Sequence, residues 1–134
     1  MKYLTLVISA IILSGCVSGR SLMDQNIALT DDMSQETEAY FQKNGKEATI
    51  EAGKEAVRSL LKDPNSAEFS DMSIEGFRTG RLVCGVVNAK NSFGGYVGRK
   101  PFAASPSIAR IYEDHGYEFI NASANFAITQ VCRK

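Results

Sequence analysis

The chain reads as an α+β domain, with one main amphipathic helix packed on a small antiparallel sheet of about four strands and one disulfide closing it. Three observations predict this. A single apolar stripe at helical spacing runs from Ala48 to Leu61, and short β-branched and aromatic runs separated by turn residues follow Pro64. Two cysteines, Cys84 and Cys132, remain once Cys16 is accounted for. A switch from helical periodicity to short strand-like runs segregates helix from sheet along the chain.

The N-terminus comes first. A basic start (Met1, Lys2) leads into an apolar stretch from Tyr3 to Leu13, then Ser14, Gly15 and Cys16. This is the layout of a secretory signal peptide over residues 1–15, cut ahead of the cysteine. The stretch is broken by Thr5 and Ser9 and falls short of the about 20 apolar residues that a membrane span needs. The string Leu13-Ser14-Gly15-Cys16 resembles the lipobox of bacterial lipoproteins, whose cysteine is acylated and becomes the mature N-terminus. The resemblance implies lipidation (palmitate among the acyl chains) at Cys16 and stable membrane anchoring, since more than one acyl chain holds a protein firmly at a bilayer. In the sorting pattern of Gram-negative lipoproteins, Asp after the cysteine retains the protein in the inner membrane. Val17 at that place implies the outer membrane, inner leaflet, facing the periplasm.

Charge excludes some partners. Fifteen Lys and Arg balance 15 Asp and Glu in the full chain, and losing Lys2 leaves the mature chain slightly acidic. No basic excess argues for nucleic acid, and no polybasic run for an anionic lipid surface. In an oxidising compartment Cys84 and Cys132 are expected to form one disulfide. Closing a loop of about 48 residues contributes roughly 4 kcal/mol in the chain-entropy account. No CxxC and no nearby His supports a metal site for the pair, and no cofactor is expected.

Residues 16–35 read as a lipidated N-terminus and flexible tether, being polar without a sustained period, with a reach of roughly 25 Å. Ile27, Leu29 and Met33 offer an alternative, a short docked segment. Residues 36–134 form the single globular domain. Ala48, Ala52, Ala56, Val57, Leu60 and Leu61 lie on one helical face, with Lys46, Glu47, Glu51, Lys54, Glu55, Arg58 and Lys62 on the rest. Glu51–Lys54 and Glu55–Arg58 are attractive i,i+3 pairs. The helix stops by Asp63, since Pro64 disfavours helical backbone in the residue before it. An earlier helical piece around 35–43 is separated from it by Asn44-Gly45.

A first strand is marked by Phe69, Met72, Ile74 and Phe77, and Arg78-Thr79-Gly80 turns it. Leu82–Val87 is apolar and β-branched enough for a central strand. Asn91-Ser92-Phe93-Gly94-Gly95 carries turn chemistry, and Tyr96-Val97 with Phe102 is read as the third strand. Ser105-Pro106 breaks it, Ile108–Tyr112 forms a fourth, and Glu113-Asp114-His115-Gly116 turns again. Residues 123–132 admit two readings, a short helix capped by Ser123 or a closing strand.

Motifs for chemistry are sparse. His115 is the only histidine, and with Glu113 and Asp114 it reads as a solvated turn, since three consecutive side chains rarely converge on one ion. Ser107 and Ser123 lack the base and orienter that a nucleophile needs. Fifteen acidic residues leave a paired-carboxylate hydrolase open. The stretch 88–100 holds Gly94, Gly95 and Gly98 beside Lys90, Arg99 and Lys100, but fits neither the P-loop nor the dinucleotide fingerprint. It reads as a tight hairpin that presents Phe93, Tyr96 and Arg99 to a protein partner.

The strings Asp63-Pro64-x-Ser66-Ala67-x-Phe69 and Val83-Cys84-Gly85-x-Val87-Asn88-Ala89-Lys90-Asn91-Ser92-Phe93-Gly94-Gly95-Tyr96 resemble a family of small uncharacterised bacterial and prophage proteins. The resemblance covers roughly residues 55–102 and implies a fold module, with no activity to carry over. The chain is similar in part to membrane-bound lysozyme inhibitors, which are all-β, whereas this chain spends its first third on a helix. The expectation is a non-enzymatic, membrane-anchored envelope lipoprotein that binds another envelope protein, in a protective role such as immunity or inhibition. A structural accessory of an envelope assembly is the alternative, and a peptidoglycan hydrolase the third.

Overall fold

The computed structural model describes residues 21–133, so the predicted signal peptide, Cys16 and the start of the predicted tether lie outside it. Helix α1 (Leu22–Arg58) is followed by a 3-10 turn (Pro64–Ser66), strands β1 (Glu68–Phe77), β2 (Gly80–Asn88), β3 (Lys100–Ala104) and β4 (Ala109–Ile111), and helices α2 (Glu118–Ala124) and α3 (Phe126–Gln130). The four strands form one antiparallel sheet in the order β1-β2-β3-β4. One long helix packed on a four-stranded antiparallel sheet is the predicted α+β architecture.

The helix begins far earlier than its apolar stripe suggests. Ser21 is the N-cap, its Oγ accepting from the Asp24 N–H at 3.1 Å. Residues 22–35, expected as flexible tether, are therefore helix, and Thr30, Met33 and Ser34 are buried. The docked alternative holds for Leu29 and Met33, which pack with Leu82, Cys84 and Ala103. The physical reason is that hydroxyl residues share this buried face. Thr30 Oγ1 donates to the Asn26 carbonyl at 2.7 Å, and Thr37 Oγ1 to the Met33 carbonyl at 2.8 Å. A hydroxyl satisfied by its own helix can be buried without an orphaned polar group.

At Gly45 (φ 82°, ψ 179°) the helical backbone breaks, at the Asn44-Gly45 separation read from the sequence. Only glycine takes that conformation without steric cost. The break lets the two halves of α1 serve opposite faces of the sheet. Side chains alternate along β2, and Leu82 and Cys84 meet Met33 with Ala127 and Ile128 of α3. Val83 and Val87 instead join Val57, Phe102 and Ala104. Both halves approach closely. An added Cβ at Gly53 would lie 2.8 Å from Val83 Cγ1, and one at Gly80 would lie 2.3 Å from the Ser34 carbonyl oxygen.

The first half is further tied at two turns. Glu36 accepts from Ser105 Oγ at 2.6 Å and Ser107 Oγ at 2.8 Å. Arg78 pairs with Asp31 at 3.1 Å, and Arg81 pairs with Glu38 while its guanidinium lies 3.9 Å from the Phe41 ring centre. The predicted Glu51–Lys54 and Glu55–Arg58 pairs form on the second half.

Two corrections concern the sheet and tail. Tyr96 makes only an isolated bridge to Lys90, and β3 starts at Lys100, because Gly94 (φ 80°) and Gly98 (φ 98°) interrupt extended pairing. Residues 123–132 are helical rather than a strand up to Gln130, and Ser123 is no cap: it sits inside α2 with its Oγ buried and without a hydrogen-bond partner. Cys132, after α3, is bonded to Cys84 with the Cα atoms 5.4 Å apart. Among the described residues no helix is long and apolar enough to cross a membrane.

Candidate functional site

The hairpin joining β2 to β3 is held by its own asparagines. The Asn91 side-chain oxygen accepts from the Phe93 N–H at 2.9 Å and the Gly95 N–H at 3.1 Å, and the Asn91 N–H donates to the Gly95 carbonyl at 2.8 Å. Asn88 Oδ1 accepts from the Gly98 N–H at 3.1 Å. These are the local side-chain-to-backbone bonds that make Asn a turn residue. They also occupy the amides that a phosphate cradle would need.

The loop is then fastened to the start of β1 and the turn before it. The Lys90 N–H donates to Ser66 Oγ at 2.8 Å, and the Tyr96 hydroxyl donates to Glu68 at 3.2 Å. Arg99 Nη2 reaches Asp71 Oδ2 at 2.6 Å and Ser70 Oγ at 2.9 Å. Asp71 is placed by a bulge: the β1–β2 register shifts between Ser70 and Ser73, and Asp71 has φ 54°. Such bulges re-aim a side chain. Both partners of the Arg99–Asp71 pair are more than half exposed, so it contributes at most about 1 kcal/mol. Its role is orientation.

Partial desolvation, then the neighbouring Glu68 carboxylate, push the Tyr96 phenol above its ordinary range, and Tyr96 stays a neutral donor. Lys90 Nζ lies 5.5 Å from the centre of the Tyr96 ring.

Of the three predicted contact residues, Tyr96 and Arg99 are thus drawn back onto β1. Phe93 is 97% exposed, and Tyr96 47%. Ser66, Glu68 and Asp71 were missed in the sequence. The Pro64-x-Ser66 turn was visible, but the bulge that presents Asp71 depends on cross-strand register.

Elsewhere, the Glu113–Gly116 segment is a hydrogen-bonded turn. Asp114 Oδ1 accepts from the Gly116 N–H and from Asn121 Nδ2, both at 2.8 Å, and the Asn121 bond is the larger cause holding its carboxyl below the usual range. The His115 N–H donates to Asn121 Oδ1 at 2.7 Å. Among the described residues no three His, Cys, Asp or Glu side chains group to hold a metal ion. Ser107 is engaged by Glu36. Cys16, the predicted lipidation site, lies outside the described residues.

No protein-family model, curated protein or solved structure matches the chain.

Proposed function

We propose that this chain is an envelope lipoprotein, anchored through an acylated Cys16 at the periplasmic face of the outer membrane, that acts by binding another envelope protein. The proposed role is protective: immunity against a toxin or inhibition of a wall enzyme. One observation carries the binding reading. Phe93, an almost fully exposed aromatic, stands on a hairpin whose backbone is fixed by Asn88 and Asn91 and whose flanks are fastened to β1. Aromatic side chains are favoured interface anchors, and a loop ordered beforehand loses less entropy on binding. Phe93 is the contact residue in this reading, while Tyr96 and Arg99 position the loop.

The early start of α1 changes the geometry of anchoring. With the N-cap at Ser21, the chain from Cys16 to the folded domain extends at most about 20 Å. The domain works close to the bilayer.

The test places a photoreactive phenylalanine analogue at position 93, or at exposed position 47 of α1 as control, in the full chain in its native membrane. A discrete adduct from position 93 only, lost in competition with unlabelled wild type but not with unlabelled Phe93→Ser protein, is expected. Identical adduct patterns from both positions would overturn the hairpin reading. Cys16→Ala should move the chain from the membrane to the soluble fraction, and retention in the membrane would overturn the anchor.

A further inference from the structure

Strand β4 is an edge, and part of its outer backbone is open. Tyr112 N–H donates to the Pro101 carbonyl at 2.9 Å and Ser105 N–H to the Ile108 carbonyl at 2.8 Å. With the register Ala103↔Arg110, antiparallel alternation turns the backbone groups of Ile108, Arg110 and Tyr112 toward β3 and those of Ala109, Ile111 and Glu113 outward. At Glu113 the outward pair is already taken as a neighbouring strand would take it. Its N–H donates to Asn125 Oδ1 at 3.1 Å, and its carbonyl accepts from Asn125 Nδ2 at 2.8 Å. At Ala109 and Ile111 no partner stands among the described residues.

A cleft of about 530 Å³ borders this edge. Leu60, Leu61 and Val97 supply apolar walls, and Leu60 is 54% exposed. Lys100, Arg110 and His115 line it with Glu113 as the one carboxylate, and neither Lys100 nor Arg110 forms an ion pair among the described residues. In a chain whose acidic and basic residues balance, this is a local cationic excess.

We propose that the β4 edge is a docking site for an extended segment of a partner protein with the pattern apolar–acidic–apolar, added as a fifth strand. Residues opposite one another on neighbouring strands share a face. Those opposite Ala109 and Ile111 lie on the side of Leu61, since all three pack against the same apolar cluster. The residue opposite Arg110 lies on the other side, beside its guanidinium. Main-chain bonds to Ala109 and Ile111 would supply affinity, and the alternating side chains specificity. A second copy of this chain fits worse, because two β4 strands paired about their central residue would set Arg110 against Arg110. The site is distinct from the hairpin tip and does not use Phe93.

The probe is a fluorescent peptide, acetyl-Thr-Val-Glu-Val-Thr-amide, titrated into the full-length chain in detergent, with a Val-Lys-Val counterpart and an N-methylated version. Saturable binding of the Glu peptide is expected, at least tenfold weaker for the Lys peptide and lost on N-methylation. The Ala109 and Ile111 amides should gain protection from hydrogen exchange. Arg110→Glu, at an exposed site, should reverse the charge preference, and Arg110→Gln should abolish it. Phe93→Ser should bind the peptide as wild type does, so failure here and failure of the hairpin reading are told apart. Absent binding, equal affinity for both charges, or binding that leaves the two amides unprotected would each overturn the proposal. Self-association through protected β4 amides would overturn it in favour of a dimer.

Discussion

The two halves of α1, before and after Gly45, bury their faces by different means. The second half relies mainly on apolar side chains: Ala56 and Val57 are buried, Gly53 lets the helix settle onto Val83, and Thr49, bonded to the Gly45 carbonyl, is its one buried hydroxyl. The first half buries Thr30, Ser34 and Thr37 around a single large apolar residue, Met33. Its hydroxyls are satisfied by carbonyls of their own helix, so they gain little from the sheet beneath them. Orientation comes instead from groups that reach across, Glu36 to Ser105 and Ser107, Glu38 to Arg81, and Asp31 to Arg78. Apolar area stabilises one half, and matched polar partners align the other.

The largest expected effect comes from removing the covalent support of the first half's face. The Cys84–Cys132 bond holds the segment after α3, whose Ala127 and Ile128 share the cluster of Met33. Cys132→Ser with Cys84→Ser should cost about 4 kcal/mol of stability in urea titrations. Hydrogen exchange should accelerate over residues 29–37 before 53–57. Simultaneous loss in both halves would break the distinction. Next, Gly80→Ala drives a Cβ into the Ser34 backbone, which cannot rotate away as a side chain can. A loss of about 3 kcal/mol is expected, read as a lowered melting temperature, with Ser34 and its neighbours displaced.

A smaller pair contrasts the halves directly. Val57→Ala removes fully buried apolar volume and should cost about 2 kcal/mol. Thr37→Val, equally buried, exchanges a hydroxyl bonded within its own helix for a methyl, and should stay within about 1 kcal/mol of wild type. Equal losses at the two sites would show that the first half is packed as tightly as the second.

The same contrast decides what the sequence disclosed. The Ala48–Leu61 stripe was legible as far as Val57 because its burial is apolar, while the helix ends at Arg58 and leaves Leu60, expected on the same face, exposed. Cys84 and Cys132 were legible because they were the only pair left. The first half was hidden, since Thr, Ser and Met at its buried positions look like linker composition until the return bonds to the helix are seen. Ser21 followed by Asp24 is the one local signal in the sequence for this early helix start. The hairpin could be read from Asn88, Asn91 and its glycines, which act locally. Its fastening to Glu68 and Asp71 could not, because it joins residues 28 positions apart through a bulge. The open edge at Ala109 and Ile111 was equally hidden, being a property of register rather than residue type.

The smallest effect is the pH dependence that Glu38 gives the first half. Hydrogen bonds from Gln42, then from Arg81, hold the Glu38 carboxyl below its ordinary range. A carboxylate with a depressed folded-state pKa adds stability that is present above its unfolded pKa and is lost as pH falls through the folded value. Wild type should therefore exceed Glu38→Gln in urea midpoint at neutral pH, and the gap should close as acid protonates Glu38. The substitution removes only the carboxylate, so the closing reports its protonation. Val57→Ala carries no titrating group, and its deficit should stay nearly constant over the same range. A pH-independent Glu38→Gln gap would mean that packing around Phe41 and Arg81, rather than charge, aligns the first half, and the two halves would then differ in residue type but not in physics.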